Sequence, residues 1–371
     1  MSAIPVLFVS SHARLGGSER YLTTLLEALG PVWVRGVVAL EEGPLVAELR
    51  KAGVAVEVVE TSARPPGILL SAWRLRRRIS GPGVVVVHAN GVKAALVATL
   101  AGLGTRARVV WVKHDYSFDG RLAHLIARRC AEVIGVSSAV TATFHGTMRS
   151  KVRVVHNGIG EVVVDREAGR RRLHELLGPP SPAAVVVLVA RLEPVKGHRE
   201  LLAVAESLAG AVTGARIAFI GGESAPYPGY PQELRAEVES AGLDEVVAFL
   251  GHREDALELM AGADVVAVPT AVGEHGPGEG FGYTALEAMA VGTPVVGYAH
   301  GGLPELAGDC ALLVTPGDRA ALGRALLELL QDSVARDRLV RCGRERVAAQ
   351  FSLERVASTM KERYAAVAIA S

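Results

Sequence analysis

The sequence predicts an α/β protein with two doubly wound parallel-sheet units in tandem. Three observations predict it. Short β-branched runs alternate with amphipathic stretches, the pattern of βαβ units. The runs are almost wholly apolar, as strands covered on both faces should be. The alternation also stops at HNGIG, a turn-rich stretch at 156–160, and begins again after GPPSP, so separate sheets start at residues 4–9 and 184–190. A chain of 371 residues is long enough for two full cores.

In the first unit, IPVLFVS, VAVEVVE, VVVVHA, ARVVWV, EVIGVS and KVRVV read as strands, with SERYLTTLLEAL and KAALVATLAGL among the helical stretches. DREAGRRRLHELL opens the second unit as a helix. AAVVVLVAR, ARIAFIGG, VVAFLG, DVVAVPT and TPVVGY follow as strands. The boundary falls near 156–166. In open parallel sheets ligands sit at the carboxyl ends of strands, so the loops after strands are where chemistry is expected.

Composition narrows the function classes. The longest uncharged apolar run, Ala94 to Thr105, is well short of the roughly 20 residues of a spanning helix. MSAIPVLFVSS carries no basic leader. Cys130, Cys310 and Cys342 are scattered and odd in number. They fit a reduced cytosol and give neither a disulfide framework nor a metal-ligand spacing. A cytoplasmic protein is expected. Residues 1–180 carry 24 Lys and Arg against 14 Asp and Glu, whereas residues 181–371 carry 16 against 25. Either the basic half meets an anionic partner or the two domains attract each other.

The loop after the first strand, SSHARLGGSER, places Gly16 and Gly17 before Ser18, a good N-cap. A helix start after a glycine turn is a ready anion site, and an ordinary βα turn is the alternative. The G-x-G-x-x-G fingerprint is absent, so Glu41 and Glu42, near a strand end, are a weak ribose-binding signal. In ARLEPVKGH, Arg191 and Lys196 stand at a strand mouth beside a helix start at Gly197. Such a pair can hold a pyrophosphate, Arg by its fork and Lys as a point charge. The alternative is a solvated loop pairing with Glu193 or Glu200.

EHGPGEGFGYTALEAMAVG follows DVVAVPT. Glu279 lies in the loop and the helix starts near Gly282. Gly280 and Gly282 let backbone N–H groups approach a ligand. Glu287 interrupts an apolar pattern, with Ala285, Leu286, Ala288 and Met289 around it. A carboxylate in such company needs a partner.

These motifs together resemble the retaining, nucleotide-sugar-dependent glycosyltransferases of family 4. They are GGSERYLTTLLEAL, VHANG, the HD of WVKHDY, VSSAV, HNGI, ARLEPVKG, GEGFGYTALEAMAVGTPVVG and GGLPEL. The resemblance covers essentially the whole chain and implies the GT-B architecture, two Rossmann-like domains facing across a cleft. Residues 1–160 with the final helix 352–371 would bind acceptor, and 161–351 would bind the nucleotide sugar. Glu279 would contact the donor sugar and Glu287 the ribose. Arg191 and Lys196 would hold the diphosphate. Gly280, Phe281, Gly282, Tyr283 and Thr284 would reach phosphate and sugar from the helix start. Gly16 and Gly17 would close over the phosphates, and His114 would lie by the reacting sugar. Ser137 and Asn157 match motif positions near the cleft. His12, Glu19, His88, Asn90 and Asp115 fall on the acceptor side, where Glu19, Asp115 and Asp119 permit an amino-bearing acceptor. His12 and His88 equally suit structural roles.

The resemblance further implies a UDP-sugar in preference to a GDP-sugar, no metal or other cofactor, and no nucleic acid partner. The acceptor would be a small molecule or lipid-linked, such as an aminocyclitol or an inositol phosphate. A GT-B nucleotide-sugar epimerase and a non-catalytic sugar-binding protein are the rival readings. Glu274 matches no position of the pattern and reads as an exposed loop carboxylate. The run Arg74, Arg76, Arg77 and Arg78 reads first as a solvated helix face, with peripheral contact to an anionic lipid surface the alternative. Tyr227 and Tyr230 read as packing residues.

Overall fold

In the computed structural model the described residues are 3–14, 16–62, 64–80, 86–271 and 278–369. The chain divides into two compact units, 1–160 with 351–371, and 161–350. Among the described residues of the first unit the elements run β1 Val6–Ser10, α1 Gly17–Leu29, β2 Val34–Ala39, α2 Pro44–Lys51, β3 Val56–Val58, α3 Pro65–Ile79, β4 Val86–Asn90, α4 Val92–Ala101, β5 Arg108–Lys113, α5 Arg121–Arg129, β6 Glu132–Gly135, α6 Ser138–Thr141 and β7 Val152–Val154. The second unit continues with α7 Arg166–Leu177, β8 Ala184–Val189, α8 His198–Ala211, β9 Ala215–Ile220, α9 Tyr230–Ser240, β10 Val247–Gly251, α10 Ala256–Gly262, β11 Val265–Val268, α11 Tyr283–Val291, β12 Val295–Tyr298, α12 Leu303–Ala307, β13 Leu312–Val314, α13 Arg319–Gln331 and α14 Ser333–Gln350. The last helix, α15 Leu353–Ile369, belongs to the first unit.

Each unit has one all-parallel sheet. The first runs β3-β2-β1-β4-β5-β6-β7 and the second β10-β9-β8-β11-β12-β13. The reason is in the strands. Every residue of β1 is buried, and five of the six in β8 (AVVVLV), so neither strand has a polar face to offer water. Phe8 pairs with Val37 on one side and His88 on the other. The first core gathers Val9, Val87, Trp111 and Val133 under α3, α4 and α5. The second gathers Val186, Phe219, Val296 and Leu326. α15 packs against α1, and Arg363 clamps the buried Glu132 at the start of β6.

Strand order reverses between β1 and β4 in the first unit and between β8 and β11 in the second. The carboxyl ends there splay apart and leave a crevice, the usual ligand position in such sheets.

One expectation from the cysteines is overturned. Cys310 and Cys342 form a disulfide, with Cα atoms 5.2 Å apart and a sequence separation of 32. The turn after α12 carries one and α14 the other. Their meeting is set by how α14 folds back, which spacing alone does not reveal. Cys130 is free and buried, and burial pushes its thiol up to about 12.

Candidate active site

In the second unit the chemistry collects at the switch point. Lys196 Nζ donates to Glu279 Oε2 at 3.1 Å, and Thr270 Oγ1 donates to the same oxygen at 3.3 Å. Leu188, Val189, Ala190, Ala267, Val268 and Thr284 line a crevice around them of about 20 Å³, room for a water and not for a sugar. Thr284 Oγ1 donates to the Val189 carbonyl at 3.0 Å and ties the start of α11 to the end of β8. Burial alone would raise the Glu279 carboxyl. Lys196, Thr270 and the Gly282 N–H outweigh it and hold Glu279 below the usual carboxylate range.

Backbone geometry fixes this arrangement. Gly197, the N-cap of α8, sits at φ 79, and a Cβ there would lie 2.0 Å from the Pro269 carbonyl oxygen. Only glycine allows α8 to begin this close to the end of β11. The Ala271 N–H donates to the Val195 carbonyl at 2.8 Å, so the short turn Pro194–Lys196 is tied to the same segment. Gly282 caps α11 at φ 107. The first turn of that helix lacks intrahelical acceptors for its N–H groups and carries partial positive charge. Gly280, Phe281 and Tyr283 flank it, with Phe281 buried. Glu287 lies inside α11 at 6% exposure, among the buried residues of that helix.

Arg191 takes the bland alternative at close range. Its Nη2 pairs with Glu193 at 3.1 Å, and Ser224 Oγ donates to the same carboxylate at 2.7 Å. Arg191 remains 56% exposed, so the guanidinium is accessible at the strand mouth. Glu200 instead accepts from Tyr298 and Arg319. Tyr230 is packed beside His198 and under Arg199, while Tyr227 is exposed.

In the first unit a polar chain runs along the switch point. Asn90 Nδ2 donates to the Ser18 carbonyl at 3.0 Å, which fixes the orientation of its amide. Asn90 Oδ1 therefore accepts from His114 Nε2 at 2.6 Å, and His114 Nδ1 is left as an acceptor. Burial lowers the His114 pKa to about 4, so the ring is neutral at physiological pH. Lys113, 2% exposed, pairs with Asp119 at 2.6 Å and also donates to the Asp115 carbonyl, anchoring the loop that carries His114. Asp115 accepts from the Ser117 N–H at 2.8 Å and is exposed. His12 is exposed at the end of β1 and faces Glu41 at 3.4 Å. Glu41 also accepts from the Ala13 N–H at 2.9 Å and from Lys93 at 3.5 Å. That is a local ion cluster, with no dinucleotide fingerprint around it.

His88 takes its structural reading. It is fully buried, bonded to Tyr364 of α15 at 2.7 Å and tilted against Phe8 with ring centroids 4.8 Å apart. Burial brings its pKa down to about 3. Glu19 is buried beneath the Gly16 turn, accepts from Ser18 at 2.8 Å, and has its carboxyl raised by burial. A Cβ on Gly16 would lie 2.9 Å from that carboxylate. Ser18 does not cap α1. Gly16 is the N-cap and Gly17 the first helical residue, and the Ser18 hydroxyl turns to Glu19 instead. Ser137 caps α6, accepting from the Val140 N–H at 3.3 Å. Asn157 is buried, and its Oδ1 meets no donor among the described residues. Glu274 lies outside the described residues. Sequence reasoning passed over Thr270, Lys113 and Tyr364. Only Thr270, at the end of a strand, carried a readable signal.

Among the described residues no three His, Cys, Asp or Glu gather as a metal site, and no helix is long and apolar enough to cross a membrane.

Comparison with known proteins gives the same picture. Residues 169–346 match the model of glycosyl transferases group 1, and residues 15–161 that of glycosyltransferase family 4. A 2-deoxystreptamine N-acetyl-D-glucosaminyltransferase of Streptomyces fradiae is 32% identical over 71% of this chain and 66% of its own length. A D-inositol 3-phosphate glycosyltransferase of Mycobacterium bovis is 33% identical over 79% of this chain and 58% of its own. The chain thus spans about two thirds of these curated relatives or less. The Anabaena protein HepE, crystallised with UDP and glucose, superposes with a TM-score of 0.83 at 23% identity, covering 98% of this chain and 99% of that one. Sucrose-phosphate synthase of Thermosynechococcus elongatus superposes at 0.77 and 21% identity, over 99% and 100%. The two parallel-sheet units and these neighbours assign the GT-B fold, and the chain belongs to glycosyltransferase family 4.

Proposed function

We propose that this protein is a retaining glycosyltransferase that moves a hexose or amino sugar from a nucleotide sugar, UDP-linked in preference to GDP-linked, to a hydroxyl acceptor. The observation that carries the reading is the half-buried Lys196–Glu279–Thr270 cluster at the β8–β11 switch point, beneath the glycine-capped start of α11. Lys196 and Arg191 meet the diphosphate, helped by the N–H groups at 280–284. Glu279 holds the sugar hydroxyls and Glu287 the ribose. His114, neutral and with Nδ1 free of the Asn90 bond, accepts from a sugar hydroxyl.

In the reaction the bond from the anomeric carbon to the β-phosphate oxygen breaks, and a bond to the acceptor oxygen forms on the same face. The acceptor proton passes to the departing phosphate. Negative charge grows on that phosphate, and preorganised donors aimed at it lower the barrier, each by about 3 kcal/mol. The charge is met by cationic side chains and a helix terminus, without a metal.

Two relatives are named for cyclitol acceptors, one amino-bearing and one phosphate-bearing. We place the acceptor of this chain in that class, with His12 and Asp115, both exposed, as the polar side chains of the first unit open to it. The test has two stages. Thermal shift against UDP, GDP, TDP and ADP should show the largest rise with UDP. UDP release from a UDP-sugar should then depend on 2-deoxystreptamine or inositol 3-phosphate. Donor consumption that ignores acceptor would indicate an epimerase, and no stabilisation by any nucleotide would defeat the site assignment.

A further inference from the structure

Helix α3 buries one face and leaves another bare. Ile68, Ala72, Leu75 and Ile79 enter the core. Leu69, Leu70 and Trp73, at helical spacings of one, three and four, are 60%, 49% and 56% exposed. Single exposed apolar residues need no explanation, but a contiguous group of large ones does. Arg74 and Arg77 continue the same stripe by one further turn, and the Arg77 guanidinium lies 5.2 Å over the Trp73 ring. Arg76 donates to the carbonyls of Ala101 and Leu103. It thereby holds the turn after α4 against the helix and brings another half-exposed leucine, Leu103, to its flank.

Helix α3 and the α4–β5 turn carry basic residues and no acidic one of their own. From Thr61 to His114 the sequence has nine Lys and Arg and no Asp or Glu. Arg78 reaches out to Glu57 at 2.8 Å; Arg74 and Arg77 have no carboxylate on their own helix.

We infer that the outer face of α3, with the α4–β5 turn beside it, docks on the surface of an anionic phospholipid bilayer. Trp and Leu side chains enter the headgroup boundary and arginines meet lipid phosphates, the division of labour of an interfacial amphipathic helix. A second copy of this chain fits less well. A twofold contact brings a patch against itself, so Arg74 and Arg77 would oppose arginines. A bilayer supplies apolar depth and negative charge together.

Vesicle flotation tests this with the full chain, on phosphatidylcholine alone and on phosphatidylcholine mixed with phosphatidylglycerol. The protein should float with the mixed vesicles and not the neutral ones, less so at high salt. Trp73 is the exposed one of the three tryptophans, beside buried Trp33 and Trp111, so its emission should shift to the blue on binding. Leu70→Ser with Trp73→Ser, and separately Arg74→Glu with Arg77→Glu, should each lower the bound fraction roughly tenfold. All four residues are exposed, and unchanged thermal melting verifies that the variants fold. The inference is overturned by no binding to anionic vesicles at low salt, by binding that both double variants retain, or by a solution dimer that Trp73→Ser dissolves.

Discussion

Replacing Lys196 with Met removes one charge and keeps most of the side-chain volume. In the native protein Lys196 Nζ lies 3.1 Å from Glu279 Oε2, and both groups are largely shielded from water. A hydrogen bond to a charged group is worth about 1.5–3 kcal/mol, so losing the lysine's proposed contact to the diphosphate should cut kcat/KM by roughly 10- to 150-fold. A second effect acts through Glu279. Its carboxyl is held below the ordinary value of 4.5 because Lys196, Thr270 and Gly282 outweigh burial. Without Lys196 burial pulls the pKa upward, and the acid limb of kcat/KM moves toward neutral pH. Stability follows with a definite sign. A depressed carboxyl stabilises the fold above its unfolded pKa and loses that contribution as pH falls through the folded one. Once the folded pKa is raised, the sign inverts, so the variant's deficit relative to wild type is largest at neutral pH and shrinks in acid. The assay is nucleoside diphosphate release across pH, with urea titrations at the same pH values. Adding Glu279→Gln to the Lys196→Met protein should abolish the pH shift. Unchanged kcat/KM with an unmoved acid limb would refute this reasoning.

Three further outcomes are expected. Gly197→Ala forces a left-handed backbone on alanine and drives its Cβ to 2.0 Å from the Pro269 carbonyl. It should cost about 3 kcal/mol or more in urea titration, and a near-wild-type midpoint would contradict the packing described. His88, His114 and His198, held near 3, 4 and 4 by burial against an ordinary 6.5, are neutral in the fold and take up protons more readily when unfolded. Their contribution is complete above pH 6.5 and lost as pH falls toward 4, at most roughly 3 kcal/mol per histidine at pH 4; a melting temperature flat across that window would be inconsistent. Turnover should survive a chelator and gain nothing from added divalent cations, and activity that a chelator abolishes and Mg²⁺ or Mn²⁺ restores would count against the metal-free reading.

How much of this was legible in the sequence depended on the range of the interaction. A strand such as Ala184–Val189 announces itself because six consecutive apolar residues can only be covered on both faces. β13, three half-buried residues at a sheet edge, has too few to do so, and it did not stand out from the strand pattern. Glu279 and Glu287 were legible because each breaks a local rule, one within a glycine turn and one within an apolar helix. The Lys196–Glu279 contact joins residues 83 apart. It could still be expected, because two strand-end loops of a doubly wound sheet converge at the switch point. The pairs His88–Tyr364 and Glu132–Arg363 span 276 and 231 residues. They exist because α15 returns to the first unit, and neither periodicity nor capping encodes that return. The same reasoning separates the two histidines of the first unit. Asn90, whose amide is oriented by Ser18, holds His114 with Nδ1 as an acceptor, while an aromatic cage completed from the far end of the chain makes His88 part of the core. Two strand-end histidines of similar appearance thus acquire different chemistry from partners that only the fold brings to them.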